Sequence, residues 1–169
     1  MEFDRPVPVC DPARGLLHND HYHVGYVTND LDRAADVFRD RFGVTAFRES
    51  ANELPGGGSI ALRSVWLGTM MYEITCGSGL GMELYSDHAP TGGDFVLQFH
   101  HYGYLVRDDE NWAALKRQIA NGGWKVVLDS DTPGYCRACY VEAPELGHYL
   151  EFVLPRDGLL ERMNATPSG

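Results

Sequence analysis

Lysine is scarce in this sequence of 169 residues. Its only lysines are Lys116 and Lys125, and arginines make up the rest of the Lys and Arg count. Lys and Arg together number 14 against 24 Asp and Glu, so the formal net charge is −10. An acidic chain without a basic block binds phosphate backbones and anionic membrane surfaces poorly. The composition therefore argues against nucleic acid and membrane as partners, and it leaves little scope for Schiff-base chemistry.

Long apolar segments are also missing. No run approaches the roughly 18 residues that span a bilayer, and no apolar segment follows the acidic, proline-containing first residues, so we expect no secretory signal. The cysteines are then expected to be reduced thiols of a cytoplasmic protein. Cys136 and Cys139 form a CxxC pair, but residues three apart in a strand point to opposite faces, and no second pair completes a zinc site.

Two halves of the sequence show the same predicted order of strand, helix and three strands. Asn29-Asp30 and Asp108-Asp109-Glu110 are placed to cap the two helices, and Gly43 and Gly122-Gly123 to end them. A strand is also predicted over residues 44–50. We predict an irregular N-terminal arm (1–20), a single domain (21–154) with modules 21–76 and 99–154 joined by a connector (77–98), and a frayed C-terminal tail (155–169).

An internal repeat singles out four residues. His23-Val-Gly25-Tyr26 opens the first half, and His101-Tyr-Gly103-Tyr104 opens the second half. Glu73 and Glu151 each lie inside an otherwise apolar strand, and the interval between them is the same as the interval between His23 and His101. Each half therefore runs from a strand histidine to a strand glutamate over the same distance.

These four residues have the chemistry of a metal site. A carboxylate within an apolar strand is costly unless it is paired or binds a cation. Two imidazoles and two carboxylates suit a divalent ion such as Zn, Ni, Co, Fe or Mn. We therefore predict metal ligands at His23, Glu73, His101 and Glu151.

Neighbouring residues leave this ligand set partly open. His21 and His100 lie within two residues of the chosen histidines and could replace them. Glu83 could replace Glu73, although it would break the repeat. Arg48 and Arg63 are candidates for gripping an anionic substrate group, although solvated surface positions are the simpler interpretation for both.

The sequence resembles the vicinal oxygen chelate superfamily, which includes glyoxalase I, methylmalonyl-CoA epimerase and extradiol dioxygenases. The resemblance covers residues 21–154 and is carried by residues 23–26 with the helix start at 30–34, 67–68 before 72–74, 100–103, and 146–152. It implies an α+β fold in which paired βαβββ modules form a cupped mixed sheet with helices on the outer face. It also implies a homodimer, and by position it assigns the four ligands to His23, Glu73, His101 and Glu151.

The resemblance further implies a metal-dependent lyase, isomerase or epimerase of a small carbonyl compound. In this family a divalent metal holds two adjacent substrate oxygens and stabilises an enediolate or enolate. A metal-bound glutamate can serve as the base, which makes Glu73 and Glu151 catalytic candidates here. Epimerase-like members instead use a free glutamate on the second strand. Glu49 lies near that position and is our third catalytic candidate.

Two other functions remain open from the sequence. An iron-dependent ring-cleaving dioxygenase needs two histidines, one carboxylate and open positions for oxygen, and Glu73 as a fourth ligand argues against it. A non-catalytic small-molecule binding protein is the other alternative. Members of that kind generally lack the metal ligands, whereas this chain keeps all four.

Overall fold

The computed structural model describes residues 15–54 and 56–168, so most of the predicted N-terminal arm, with Cys10, lies outside the described residues. The described residues form one eight-stranded sheet and four helices. In chain order the elements are β1 (Asp20–Thr28), α1 (Leu31–Phe42), β2 (Arg48–Glu53), β3 (Ser59–Leu67), β4 (Met70–Ser78), α2 (Glu83–Ser86), β5 (Leu97–Leu105), α3 (Asp109–Gly122), β6 (Val126–Thr132), β7 (Cys136–Ala143), β8 (His148–Pro155) and α4 (Asp157–Asn164). Within those ranges no helix is both long enough and apolar enough to cross a membrane.

The sheet is built from two equivalent halves that meet at β1 and β5. Its strand order is β2-β3-β4-β1-β5-β8-β7-β6. The central pair β1–β5 is antiparallel, while β1–β4 and β5–β8 are parallel. The predicted α+β class, with paired βαβββ modules in one mixed sheet, is confirmed.

Both long helices begin and end where the sequence predicts. The Asp30 side chain accepts a hydrogen bond from the backbone N–H of Arg33 at the start of α1, and Asp108 caps α3 in the same way. Gly43 and Gly123 end the helices at φ values of 72° and 68°, a left-handed conformation that favours glycine. The two capping aspartates are separated by the same interval as the paired histidines.

The two long helices cover one face of the sheet. Under α1, Ala34 and Phe38 pack against Ile74 of β4. Under α3, Leu115 packs in a buried cluster with Phe152 of β8. Alternation along each strand then sends residues such as Glu73 and Glu151 to the opposite face, which we call the cup face.

The cup face is covered at its two ends by the short helices. At one end Tyr85 of α2 packs in a buried cluster with Val27 of β1. At the other end Leu159 of α4 packs with Met71 and Val153. The four catalytic and metal-binding candidates of the repeat lie between these two ends.

The C-terminal segment differs from the frayed tail predicted for residues 155–169. Residues 157–164 form α4, because Leu159 and Met163 lie one turn apart and pack against the cup face. Trp66 fixes the same segment, since its indole N–H donates to the Met163 carbonyl and its backbone N–H donates to the Pro167 carbonyl.

The second strand also differs from its prediction. We predicted it over residues 44–50, but β2 begins at Arg48. Val44 and Phe47 are instead held by packing against the cluster under α1, where the Phe47 ring lies 6.2 Å from the Phe38 ring. Apolar side chains in this stretch therefore reflect burial beneath a helix and not strand pairing. The predicted connector (77–98) includes the short helix α2.

Candidate metal centre

A bulge precedes the site histidine in each central strand. In the β1–β5 pairing, Tyr22 and His100 have no opposite residue, and each lies directly before the site histidine of its strand. A bulge lets consecutive side chains lie on the same side of a strand. The rings of Tyr22 and His23 consequently lie 4.4 Å apart between centroids, and those of His100 and His101 lie 5.2 Å apart.

Each site histidine lies over a glycine of the other half. Gly25 is directly opposite His101 in the β1–β5 pairing, and Gly103 is directly opposite His23. A Cβ atom built on either glycine would clash with three atoms of the facing imidazole ring. The glycine two residues after each histidine therefore makes room for the histidine of the other half.

Three predicted ligands converge. One ligand atom from each of His23, His101 and Glu151 lies within 4.8 Å of the others. The two Nε2 atoms are 2.8 Å apart, and a Glu151 Oε2 atom lies 2.9 Å from Nε2 of His23 and 3.4 Å from Nε2 of His101. The His23 and His101 residues are 2% and 0% exposed, and the Glu151 side chain is 12% exposed, so this charge is held almost out of water.

Glu151 and His23 shift each other's pKa values. Burial raises the pKa of the Glu151 carboxyl, but the facing His23 and His101 rings outweigh burial and hold that pKa well below its usual range. Burial lowers the pKa of His23, but the charge and hydrogen bond of Glu151 outweigh burial and raise it. Without a cation, the pair therefore favours a protonated His23 beside an ionised Glu151.

His100 determines which ring nitrogen of neutral His101 carries the proton and which carries the lone pair. His100 Nε2 lies 2.9 Å from the Leu84 carbonyl, which can only accept, so Nε2 of His100 carries its proton. Burial, together with the charge of His101, lowers the pKa of His100 to about 3, so the ring is neutral and its Nδ1 accepts. That Nδ1 lies 2.9 Å from Nδ1 of His101, which must donate, so in neutral His101 the lone pair is on Nε2 in the cluster.

The fourth predicted ligand, Glu73, lies on the cup face but outside the cluster of three. It is opposite Gly25 on β4, as Glu151 is opposite Gly103 on β8. Its Oε2 accepts from Arg162 of α4 at 3.4 Å, and its Oε1 accepts from the Thr75 hydroxyl at 3.3 Å. Sequence reasoning assigned no role to Arg162, because it lies in the segment predicted to be a frayed tail.

Glu49 is not brought to this cluster. Its carboxylate is 62% exposed and lies 2.9 Å from Nε of Arg63. Arg63 also donates to the Leu31 carbonyl and to Asp32 of α1, so the pair lies on the helix-covered face. Strand alternation therefore separates Glu49 from the cup face.

The alternative ligands are also outside the cluster. The ring of His21 bonds the backbone carbonyl of His23, and Glu83 begins α2, where it accepts from the Gly81 backbone N–H. His100 contacts His101 and contributes no atom to the group of three. From each neighbouring pair of histidines, the repeat thus selected the one that lies in the cluster.

Buried tyrosines surround the cluster. The Tyr85 hydroxyl donates to the Tyr140 hydroxyl at 3.2 Å, and the Tyr140 ring lies 5.2 Å from the His101 ring. Burial, reinforced by the Glu151 charge, raises the pKa of Tyr22, Tyr85 and Tyr140. The phenols therefore stay neutral and exclude water from the ligand atoms. No sequence signal points to Tyr22, which depends on a bulge, or to Tyr85, which depends on an unpredicted helix.

The three donors fit a divalent cation. Two imidazole nitrogens and one carboxylate oxygen converge in a buried position, and none of the lysines or arginines in the described ranges bonds Glu151. An ionised carboxylate buried in this way needs a positive partner.

The CxxC cysteines do not contribute to this cluster, because Cys136 packs on the cup face near α4 and Cys139 packs in the cluster under α3.

Solved structures share this architecture. No protein-family model and no curated protein sequence matches the chain. The methylmalonyl-CoA epimerase of Mycobacterium tuberculosis is 20% identical, with a TM-score of 0.56 over 86% of this chain and 93% of that chain. A variant of the Streptomyces coelicolor methylmalonyl-CoA epimerase in complex with 2-nitronate-propionyl-CoA is 17% identical, with a TM-score of 0.55 over 81% of this chain and 97% of that chain.

A hypothetical protein from Bacillus halodurans is 15% identical, with a TM-score of 0.54 over 82% of this chain and 96% of that chain. At these identities the likeness concerns the fold. Together with the paired βαβββ modules and the curled eight-stranded sheet, it shows that this chain has the glyoxalase-like fold of these epimerase structures.

Proposed function

We propose that this protein is a metal-dependent epimerase, isomerase or lyase that moves a proton next to a carbonyl group of a small substrate. The observation that carries the proposal is the convergence of His23, His101 and Glu151, contributed by both halves of the sheet, within 4.8 Å in a buried position. These three residues would hold a divalent cation of the Zn, Ni, Co, Fe or Mn type. A bound cation supplies the positive charge that polarises a carbonyl oxygen and acidifies the adjacent C–H group.

Glu73 is the group that we assign to move the proton. Glu151 is a poor candidate for the base, because its carboxylate lies against both histidines of the cluster and would bind the cation. Glu73 lies on the same face without contacting either histidine, and its side chain is 15% exposed. Arg162 and Thr75 each donate to one of its oxygens and so hold the carboxylate in place. The alternative from the repeat, in which Glu73 is a fourth ligand, gives a different result in the variants described below.

Solvent exchange tests this activity most simply. The metal-loaded protein is incubated in D₂O with methylmalonyl-CoA, which a structural neighbour binds, and with carbonyl acids that lack the CoA group. Exchange of the hydrogen next to the carbonyl is followed by NMR. We expect exchange that needs both the metal and Glu73, and unchanged exchange in a Glu73→Gln variant would contradict the assignment. A Glu49→Gln variant is the matched control, because Glu49 lies on the other face.

One observation favours a second function. Glu73 is bonded to Arg162, so two histidines and one carboxylate form the cluster, which is the donor set of ring-cleaving iron oxygenases. Only Glu73 as a fourth ligand disfavoured this reaction. Oxygen uptake by the iron-loaded protein with a catechol would establish this alternative, whereas solvent exchange without oxygen uptake would support the proton-transfer reaction.

We also propose a homodimer in the cytoplasm. The family resemblance supports the dimer, and the composition supports the location. Light scattering of the purified protein and fractionation of cells that produce it test these two proposals independently of the reaction.

A further inference from the structure

A row of polar residues extends the cup face beyond Glu73. Glu73 of β4 is opposite Ser64 of β3, and Ser64 is opposite Arg48 of β2. Ser50 lies two residues after Arg48 and faces the same side. Adjacent strands are about 4.8 Å apart, which places the Arg48 backbone roughly 10 Å from that of Glu73.

These residues have buried polar atoms without partners. Nε of Arg48, Oγ of Ser50 and Oγ of Ser64 are buried and make no hydrogen bond to any residue in the described ranges. Ser64 is 0% exposed. Leaving such groups unsatisfied is unfavourable, so three together on one face indicate a site that is completed by a ligand.

Other arginines near the sheet are satisfied by the protein itself. Arg162 donates to Glu73 and to the Tyr135 hydroxyl. Arg63, on the opposite face, bonds Asp32 and Glu49. Arg48 forms no ion pair with a carboxylate in residues 15–54 or 56–168, so its charge lacks the partner that the other two have.

The corresponding position in the second half is filled. Tyr140 is opposite Glu151, as Ser64 is opposite Glu73. The Tyr140 ring packs against His101 and its hydroxyl bonds Tyr85. The matched pair of positions therefore carries a large side chain with a bonded hydroxyl in the second half and, among the described residues, a small side chain with an unbonded hydroxyl in the first half.

We infer that Arg48, Ser50 and Ser64 bind a carboxylate of the substrate, so the substrate is a carbonyl compound with a separate carboxylate group. A guanidinium matches a carboxylate by two parallel hydrogen bonds, and the two hydroxyls supply further donors. This inference rests on the proposed function, since it places the carbonyl of the same substrate at the metal cluster.

The test compares malonate with its monoamide and with inorganic phosphate, by calorimetric titration of the protein with and without bound Zn²⁺. We expect native protein to bind malonate at least about tenfold more tightly than the monoamide, the scale of one charge-assisted contact. Arg48→Gln and Ser64→Ala should weaken malonate binding in both metal states, and Arg48→Gln should abolish the preference over the monoamide. Arg107→Gln removes the same charge from a side chain that is 76% exposed and should leave both affinities unchanged.

The outcomes separate this inference from the proposed function. Unaltered malonate binding in Arg48→Gln, or tighter binding of phosphate than of malonate, would overturn the carboxylate site. Failure of Zn²⁺ to bind would overturn the metal centre, while the malonate preference would still be measurable in metal-free protein. The melting temperature of Arg48→Gln should be no lower than that of native protein, because an unpaired donor is removed. A drop of several degrees would instead assign Arg48 a structural role and contradict the inference.

Discussion

Gly25 lies directly beneath the imidazole ring of His101, and the same relationship joins Gly103 to His23 in the opposite direction. Each half of the sheet thus supplies a histidine and the space for the histidine of the other half. The two Nε2 atoms can approach to 2.8 Å only because neither glycine carries a side chain. The central site therefore requires both halves of the repeat at once.

Adding a methyl group at either glycine should displace the facing histidine. We expect Gly25→Ala and Gly103→Ala to weaken divalent-metal binding by at least about tenfold and to lower the free energy of unfolding by about 1–3 kcal/mol, the usual cost of overpacking. Metal titration and urea denaturation measure these effects. Gly93→Ala is the control, since a Cβ there meets nothing closer than 3.5 Å. Native-like metal affinity in both site variants would refute this role of the glycines.

His100 should support metal binding without touching the metal. His100→Phe removes the acceptor for Nδ1–H of His101. The tautomer of His101 that keeps its lone pair on Nε2 is then no longer favoured by a hydrogen bond. Losing such an outer partner typically costs about 10–100-fold in metal affinity, and we expect a loss of that size. The matched control is His148→Phe, because His148 bonds its neighbour's backbone carbonyl and not a cluster residue. An equal loss of metal affinity in both variants would argue against a role for the hydrogen bond between His100 and His101.

The stability of metal-free protein should depend on pH through His23. The pKa of His23 is raised in the folded state, so its stabilising contribution is complete below the unfolded pKa of about 6.5 and is lost as pH rises through the folded pKa. His100, with a folded pKa of about 3, adds a slope of the opposite sign near pH 6.5, where only its unfolded state loses a proton. We expect the part of the free energy of unfolding that depends on His23, measured with a chelator present, to fall as pH rises from about 6.5.

A His23→Gln variant should lack this part of the pH dependence. Metal binding should show the opposite sign, because the cation displaces the His23 proton and binds more tightly as pH rises. Parallel stability profiles of native and variant protein would show that His23 does not hold the proton.

Substitutions at Glu73 and Glu151 should have different effects on solvent exchange and on metal affinity. We expect Glu73→Gln to abolish solvent exchange at the substrate while changing metal affinity by less than about threefold, since Glu73 bonds Arg162 and no histidine. Arg162→Gln should reduce exchange less than Glu73→Gln does, because Thr75 still holds the carboxylate. A loss of metal affinity in Glu73→Gln as large as in Glu151→Gln would instead make Glu73 the fourth ligand that the repeat predicts.

The two long helices and the central strands could be predicted from signals in the sequence, while the paired modules in one cupped sheet were implied by the family resemblance. Capping aspartates, helix-ending glycines and the matched intervals of the internal repeat lie in the sequence itself, and they placed α1, α3 and the central strands correctly. The repeat also identified His23, His101 and Glu151, which the structure brings together.

The remaining features depend on contacts between distant residues. No local pattern shows that Trp66 fixes the last residues of the chain, and so α4 and Arg162 were missed. The bulges that aim Tyr22 and His100 at the site arise only when β1 and β5 pair. Similarly, Glu49 could be placed near the second strand, but its face is set by the pairing of β2 with β3, which puts Glu49 opposite Arg63 on the helix-covered face.

The most direct test of the metal centre is the metal stoichiometry and affinity of native protein compared with Glu151→Gln. Glu83→Gln is the matched control, because Glu83 is an exposed carboxylate of α2 outside the cluster. We expect one divalent ion per native chain, a loss of at least about a hundredfold in affinity in Glu151→Gln, since even outer partners are worth about 10–100-fold, and no change in Glu83→Gln. Absence of stoichiometric metal binding in native protein, or equal affinity in native and Glu151→Gln protein, would contradict the proposed centre.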